Sequence, residues 1–178
     1  MAGDERQVPS PRPRRSPSGE ELAFVRGARV GHLATVDDRG RPAVVPFCFA
    51  VLGDEDPVVV SALDEKPKHV DDRDLARVRN IRRQPEVMFV VDKYGEDWSR
   101  LAFVQVRGAA SIVEPGSRGH GDAIQALRHK YPQYHAMAIG QRPVIVIRNL
   151  RATSWRGDGE SFGTQTRAYG SERADPDV

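Results

Sequence analysis

At 178 residues, with 29% charged side chains and Lys plus Arg at 27 against Asp plus Glu at 25, the chain has room for one domain with a sizeable core. Its charge is too balanced to call for nucleic acid as a partner. A secretory leader needs an apolar core of ~7–15 residues behind a basic start and a membrane span needs ~18 or more; neither pattern occurs, so a cytoplasmic protein with no membrane partner is expected.

Residues 1–18 combine Arg6, Arg12, Arg14 and Arg15 with four prolines and no apolar run, too little to offset the entropy of ordering, and they read as a disordered tail. Ser18-Gly-Glu-Glu21 has the spacing of a capping box. Leu22, Val25 and Ala28 then recur at helical intervals, which predicts a short helix over 19–29. Val30–Val36 alternates, Asp37-Asp-Arg-Gly40 supplies turn chemistry with Gly40 free to take a positive φ, and a strand returns over Pro42–Leu52. This second strand is apolar on both faces, which predicts a place inside a barrel or between layers. Pro46 cannot donate to a ladder and marks an edge, a bulge or the approach of something other than a strand. Cys48, the single cysteine, excludes an intrachain disulfide and reads as a small core residue rather than a nucleophile.

A third strand, Pro57–Leu63, runs into Asp64-Glu-Lys-Pro-Lys68. Beyond it Leu75, Val78 and Ile81 define a second helix, basic on its outside and stopped by Pro85. Val87–Val91 is a fourth strand with both faces apolar. Trp98–Val113 is a long fifth strand in which Gly108 predicts a bulge or bend. His120–Lys130 is a third helix, residues 131–142 are ambiguous, and Val144–Arg148 is a sixth strand that Thr153–Trp155 could continue. Residues 158–178 read as a flexible C-terminal tail, leaving 19–157 as the domain. Short turns between strands forbid parallel neighbours, so the fold class is mainly β with covering helices, antiparallel and closed into a barrel.

Lys66 and Lys68 follow Ser61 at a strand exit, and two ammonium groups with a hydroxyl suit an anion such as a phosphate; a solvated lysine-rich turn is the competing reading and is favoured on spacing alone. Trp98, after a Gly-Glu-Asp turn, suits either stacking on a ring or an ordinary core or interface role, and Trp155 offers the same pair of readings. The five histidines lack metal-site spacing, and nucleophile-elbow, phosphate-loop and dinucleotide fingerprints are absent. No catalytic side chain is assigned and no metal is expected, which favours a bound cofactor as the source of any chemistry.

The run Val30–Pro42, then Val60-Ser-Ala-Leu-Asp-Glu-Lys-Pro-Lys68, Arg79-Asn-Ile-Arg-Arg83 and Asp97-Trp-Ser99 with Arg107-Gly108, resembles the pyridoxamine 5′-phosphate oxidase-like split-barrel family. The match is nearest to its actinobacterial branch that uses coenzyme F420, a deazaflavin. The resemblance spans roughly residues 20–157. It implies a six-stranded split β-barrel, a homodimer, and a flavin or deazaflavin in a groove between protomers. Under it Lys66 and Lys68 match the basic pair that holds the cofactor phosphate, with Ser61 beside them. Ala43 and Pro46 match positions along the tricyclic ring, and Trp98 matches an aromatic brought to the groove from the opposite protomer. The implied function is a cytoplasmic F420-dependent oxidoreductase that passes a hydride to a small molecule. The alternatives are an FMN-dependent oxidase or reductase of the same fold and a non-catalytic binder of deazaflavin or haem. The arginine and histidine set that the true oxidases use for the pyridoxal substrate is missing, which argues against vitamin B6 oxidation.

Overall fold

A computed structural model describes residues 15–63 and 75–163. The chain opens with α1 (Gly19–Gly27), whose start is the expected capping box: the Ser18 hydroxyl accepts the Glu21 N–H at 3.2 Å and the Glu21 carboxylate accepts the Ser18 N–H at 2.7 Å. The buried Glu21 carboxylate also accepts the Arg15 guanidinium at 3.0 Å and the Ser154 hydroxyl at 2.7 Å. These bonds tie the helix to the last strand, and Arg15 forms a bridge with Ala152.

Seven strand segments follow: β1 (Gly31–Val36), β2 (Pro42–Phe47), β3 (Ala50–Leu52), β4 (Val58–Ala62), β5 (Glu86–Lys93), β6 (Ala102–Val113) and β7 (Val144–Arg156). Helix α2 (Ala76–Arg83) precedes β5, and α3 (His120–Lys130) lies between β6 and β7. All pairings are antiparallel in one sheet ordered β2-β1-β5-β6-β7-β4-β3. The two edge strands, β2 and β3, are consecutive in the chain and separated only by Cys48 and Phe49. Three peptide steps reach about 11 Å at most. The two ends of the sheet are thus held together, and the sheet curls into a barrel. Counting β2 and β3 as one strand broken at the seam gives the six-stranded antiparallel split barrel that the sequence implied.

Several local expectations are corrected. The strand expected over Pro42–Leu52 divides, and its first half is not buried on both faces: Val44 is 61% exposed and Pro46 is exposed, because both point outward, away from the core that Val45 and Phe47 join. In β5 burial alternates, with Val87, Phe89 and Val91 inside and Met88 and Val90 half-buried. The strand expected from Trp98 begins at Ala102, since Asp97 caps a one-turn 3-10 helix over Trp98–Arg100. The final strand is one piece over Val144–Arg156. Gly108 marks a bulge as expected: the register shifts between Arg107 and Ala109, opposite Asn149 at φ 55°. A Cβ on Gly108 would stand 2.6 Å from the Arg148 carbonyl oxygen, so only glycine fits that crossing. At the C-terminal side packing continues past residue 157. Phe162 is buried edge-on to Phe24, a contact between two distant aromatics that composition alone could not reveal, and the Glu20 carboxylate accepts the Gly163 N–H at 2.7 Å.

The core has two parts. Inside the barrel Leu33, Phe49, Phe89, Val104 and Ile147 meet, closed at one end by α2, whose Asn80 donates to the Thr35 hydroxyl at 2.9 Å. Outside it, the outward residues of β3, β4 and the start of β7 pack under α3 through Ala123, Ile124 and Leu127.

Candidate functional site

The seam where β2 gives way to β3 is the barrel's one unpaired join. Ala50 pairs with Val60 across it, so Ser61 stands one residue past that pair and Pro46 four residues before it. Pro46 is exposed on the outer face of β2, whereas Ser61 is buried in β4. Ser61 is buried on the strand face shared with Val59 and Leu63. Lys66 and Lys68, which follow it in the chain, lie outside the described residues. Ala43 is half-buried opposite Thr35, seven residues before Ala50 and on the opposite face of β2 from Pro46. No single face of β2 presents both Ala43 and Pro46; its open edge does.

The crossing itself is fastened by a residue that the sequence left in an ambiguous segment. The Tyr131 hydroxyl accepts the Phe49 N–H at 3.0 Å, and its one proton is directed at the carbonyls of Phe49 and Arg29, each 2.8 Å away. Burial pushes the phenol up to about 12. Beside it the Lys130 Nζ lies 4.2 Å from the centre of the Phe49 ring, buried and without a hydrogen-bond partner among the described residues. Burial first, then the Arg29 cation, pushes this amine down to about 8. Cys48, the other residue of the crossing, is half-buried.

Trp98 sits far from the seam. Its 3-10 turn is held by the Asp97 carboxylate, which accepts the Ser99 N–H at 3.1 Å and hydroxyl at 2.6 Å; these bonds keep the Asp97 carboxyl below its usual range. The indole is 77% exposed. Trp98 opens β6 at one end, whereas Ser61 is in the row Ser61–Ile145–Ile112 near the other. Eleven residues of extended chain from Leu101 to Ile112 cover roughly 36 Å. Ser61 and Trp98 of one protomer thus stand toward opposite ends of β6.

Between these ends the outer face of β2, β1, β5, β6 and β7 carries the rows Val44–Ala34–Met88–Arg107–Arg151 and Pro46–His32–Val90–Gln105–Thr153. Trp155 continues this face, stacked on Phe103 at 6.0 Å and 45% exposed. This face is mixed, with Val44, Met88, Val90 and Trp155 interspersed among Arg107, Arg151, His32, Gln105 and Thr153. Among the described residues no cluster of three or more His, Cys, Asp or Glu side chains could hold a metal, and no helix is long and apolar enough to cross a membrane.

A family model for pyridoxamine 5′-phosphate oxidase matches residues 18–156. Among solved structures, a conserved hypothetical protein from Mycobacterium tuberculosis is similar at TM-score 0.62 and 23% identity, covering 89% of this chain and 99% of its own. An F420 reductase is similar at TM-score 0.52 and 24% identity, covering 78% and 98%. A haem storage protein from Vibrio cholerae gives TM-score 0.52 and 18% identity, covering 80% and 95%. No curated protein matches the sequence.

Proposed function

The chain belongs to the pyridoxamine 5′-phosphate oxidase family, and from that premise we propose that it is a homodimeric, coenzyme F420-dependent oxidoreductase acting on a small-molecule acceptor. The observation that carries the reading is the seam. The open edge of β2 ends there, and Ser61, one residue past Val60 on the strand paired with β3, precedes Lys66 and Lys68 in the chain. The fold likeness to an F420 reductase agrees with it.

The residues present suit a phosphate-bearing tricycle. Lys66 and Lys68 would grip the phosphate as two point charges, with the Ser61 hydroxyl near the strand exit. A planar ring laid along the edge of β2 would meet both Ala43 and Pro46. Pro46 has no N–H, so covering it strands no backbone donor. When bound, the deazaflavin supplies a hydride at its C5. The protein's part is to hold ring and acceptor in register and to keep water from both.

Because Trp98 and Ser61 lie at opposite ends of β6, each site takes Trp98 from the second protomer, and the bare outer face with Val44 and Trp155 is the surface on which two copies meet. This makes the dimer part of the site.

Titration of the cofactor-free full chain with coenzyme F420, FMN and haem, followed by tryptophan fluorescence, tests the reading. Micromolar or tighter binding of F420 is expected, and the Lys66→Ala/Lys68→Ala variant should lose at least about tenfold in affinity while staying folded. A preference for FMN would move the protein to flavin chemistry, and preferred haem binding would make it a haem protein. Unchanged F420 binding in the double variant would remove the phosphate assignment. The shared site has its own test: Trp98→Ala and Lys66→Ala/Lys68→Ala chains, each weak alone, should regain high-affinity sites when unfolded together and refolded as mixed dimers. Absence of that rescue would put Trp98 outside the site.

A further inference from the structure

A second site stands apart from the seam, on the outer side of the barrel where α3 begins. A crevice of about 240 Å³ opens between the start of α3, the β3–β4 turn and the middle of β7. At ~30 Å³ per water that volume is about eight waters, room for one small organic molecule. Its floor is apolar, formed by Val58, Val60, Val113 and Val146.

Four charged side chains line the same crevice: Arg118 and Asp122 from the beginning of α3, Asp56 from the hairpin turn, and Arg148 from β7. Both signs are present in equal number. Among the described residues none of the four side chains makes a hydrogen bond or an ion pair, with each other or with anything else. The neighbouring charges behave differently, since Asp54 of the same turn pairs with Arg26 at 2.7 Å. The start of α3 adds to this. Its N-cap is Gly119, at φ 82°, which has no side chain to cap the helix, so the first-turn N–H groups have no side-chain acceptor.

We propose that this crevice binds a small zwitterion with an apolar side chain, of the class of a free branched-chain amino acid. Arg118, Arg148 and the uncapped first turn of α3 take the carboxylate, a donor set suited to a planar anion. Asp56, on the hairpin side, takes the ammonium group. The valine floor takes the aliphatic side chain. A ligand carrying one charge engages only one sign of the exposed side chains that line the crevice, and a polar side chain loses the floor. The site uses none of the residues assigned to the cofactor.

The test is calorimetric titration of the full chain with L-leucine, 4-methylpentanoate and 3-methylbutylamine, which share the side chain and differ only in their charged groups. Leucine is expected to bind saturably at about 1 mM or tighter. Each singly charged analogue should bind at least about tenfold more weakly. Arg148→Gln and Asp56→Asn should each weaken leucine by a similar factor. Their melting temperatures and F420 affinity should stay unchanged, because both side chains are exposed and unpaired among the described residues and neither is assigned to the cofactor. Absence of saturable leucine binding, equal binding of either analogue, or unchanged leucine binding in both variants would overturn the proposal. None of these results bears on the cofactor reading.

Discussion

The two halves of the barrel's outer face are made partly from the same strands, yet they have opposite fates. Toward the end of β6 and the start of β7, outward residues such as Val144 and Val146 are buried beneath α3, where Leu127 has no exposed surface. Toward the start of β6 and the end of β7, outward residues such as Trp155 remain half in water, and Val44 on β2 more so. The change comes at the bulge, where β6 advances by Gly108 alone while Asn149 lets β7 turn out of register. Outward apolar residues on a strand therefore do not say what covers them. One half of this face is covered within the chain, and the other is left open by it.

Substitution can sharpen that contrast, and the largest effect is expected under α3. Leu127→Ala removes a fully buried side chain from the covered half and should lower unfolding free energy by about 2–5 kcal/mol in urea titrations. Val44→Lys in the bare half should change the folded chain's stability by about 0.5 kcal/mol or less, yet shift the sedimentation coefficient from dimer toward monomer. A Val44→Lys variant that unfolds as readily as Leu127→Ala would show that the bare half is completed within the chain.

The elements whose order follows from local chemistry were legible in the sequence: the capping box at Ser18 and Glu21, the turn at Gly40 with φ 75°, the stop of α2 before Pro85, and the bulge at Gly108. What was hidden depends on long-range packing. Nothing local distinguishes Val44 from Val45, yet alternation turns Val45 onto the barrel core and Val44 outward, where it faces water. The break at Cys48 and Phe49 is set by Tyr131, more than eighty residues on, which reads locally as one aromatic in an ambiguous stretch. Of the expected site residues, Ser61 is buried on the inward face of β4 with Val59 and Leu63, and Pro46 is exposed on the outer face of β2. Trp98 lies exposed just before β6, at the end away from Ser61, and only the family resemblance, not its local sequence, implied a role for it in a second copy's site.

The bulge between the halves offers an intermediate perturbation. Gly108→Ala sets a methyl group against the Arg148 carbonyl oxygen and the Ile147 side chain, at 2.6 and 2.7 Å. Backbone on one side leaves little room to yield, so a loss of about 1–3 kcal/mol is expected. Since the bulge separates the two faces, the variant should also weaken self-association. A stable variant with unchanged assembly, by thermal melt and sedimentation, would mean that the bulge is not what divides them.

The smallest effect concerns a group that sits uneasily at the margin of the covered half. Lys130 ends α3 with its amine buried against Phe49 and unpartnered among the described residues, and its pKa is pushed down to about 8 from an ordinary 10.5. Between those values the unfolded chain binds more protons than the folded one, so stability should rise with pH from about 8 toward 10.5 and be lowest below 8. Tyr131 acts in the other direction. Its pKa is raised from 10.0 to about 12, so the stability it contributes is intact at lower pH and is lost as pH climbs through that interval. The Lys130 effect is therefore cleanest between pH 8 and 10. Lys130→Met keeps the stem and removes the amine, so it should raise the melting temperature at pH 7 by about 2 °C and flatten the rise between pH 8 and 10. An unchanged slope would place the titrating group elsewhere. A lower melting temperature at pH 7 would mean that the amine is held by a favourable contact, and that the covered half is as fully satisfied at Lys130 as it is at Leu127.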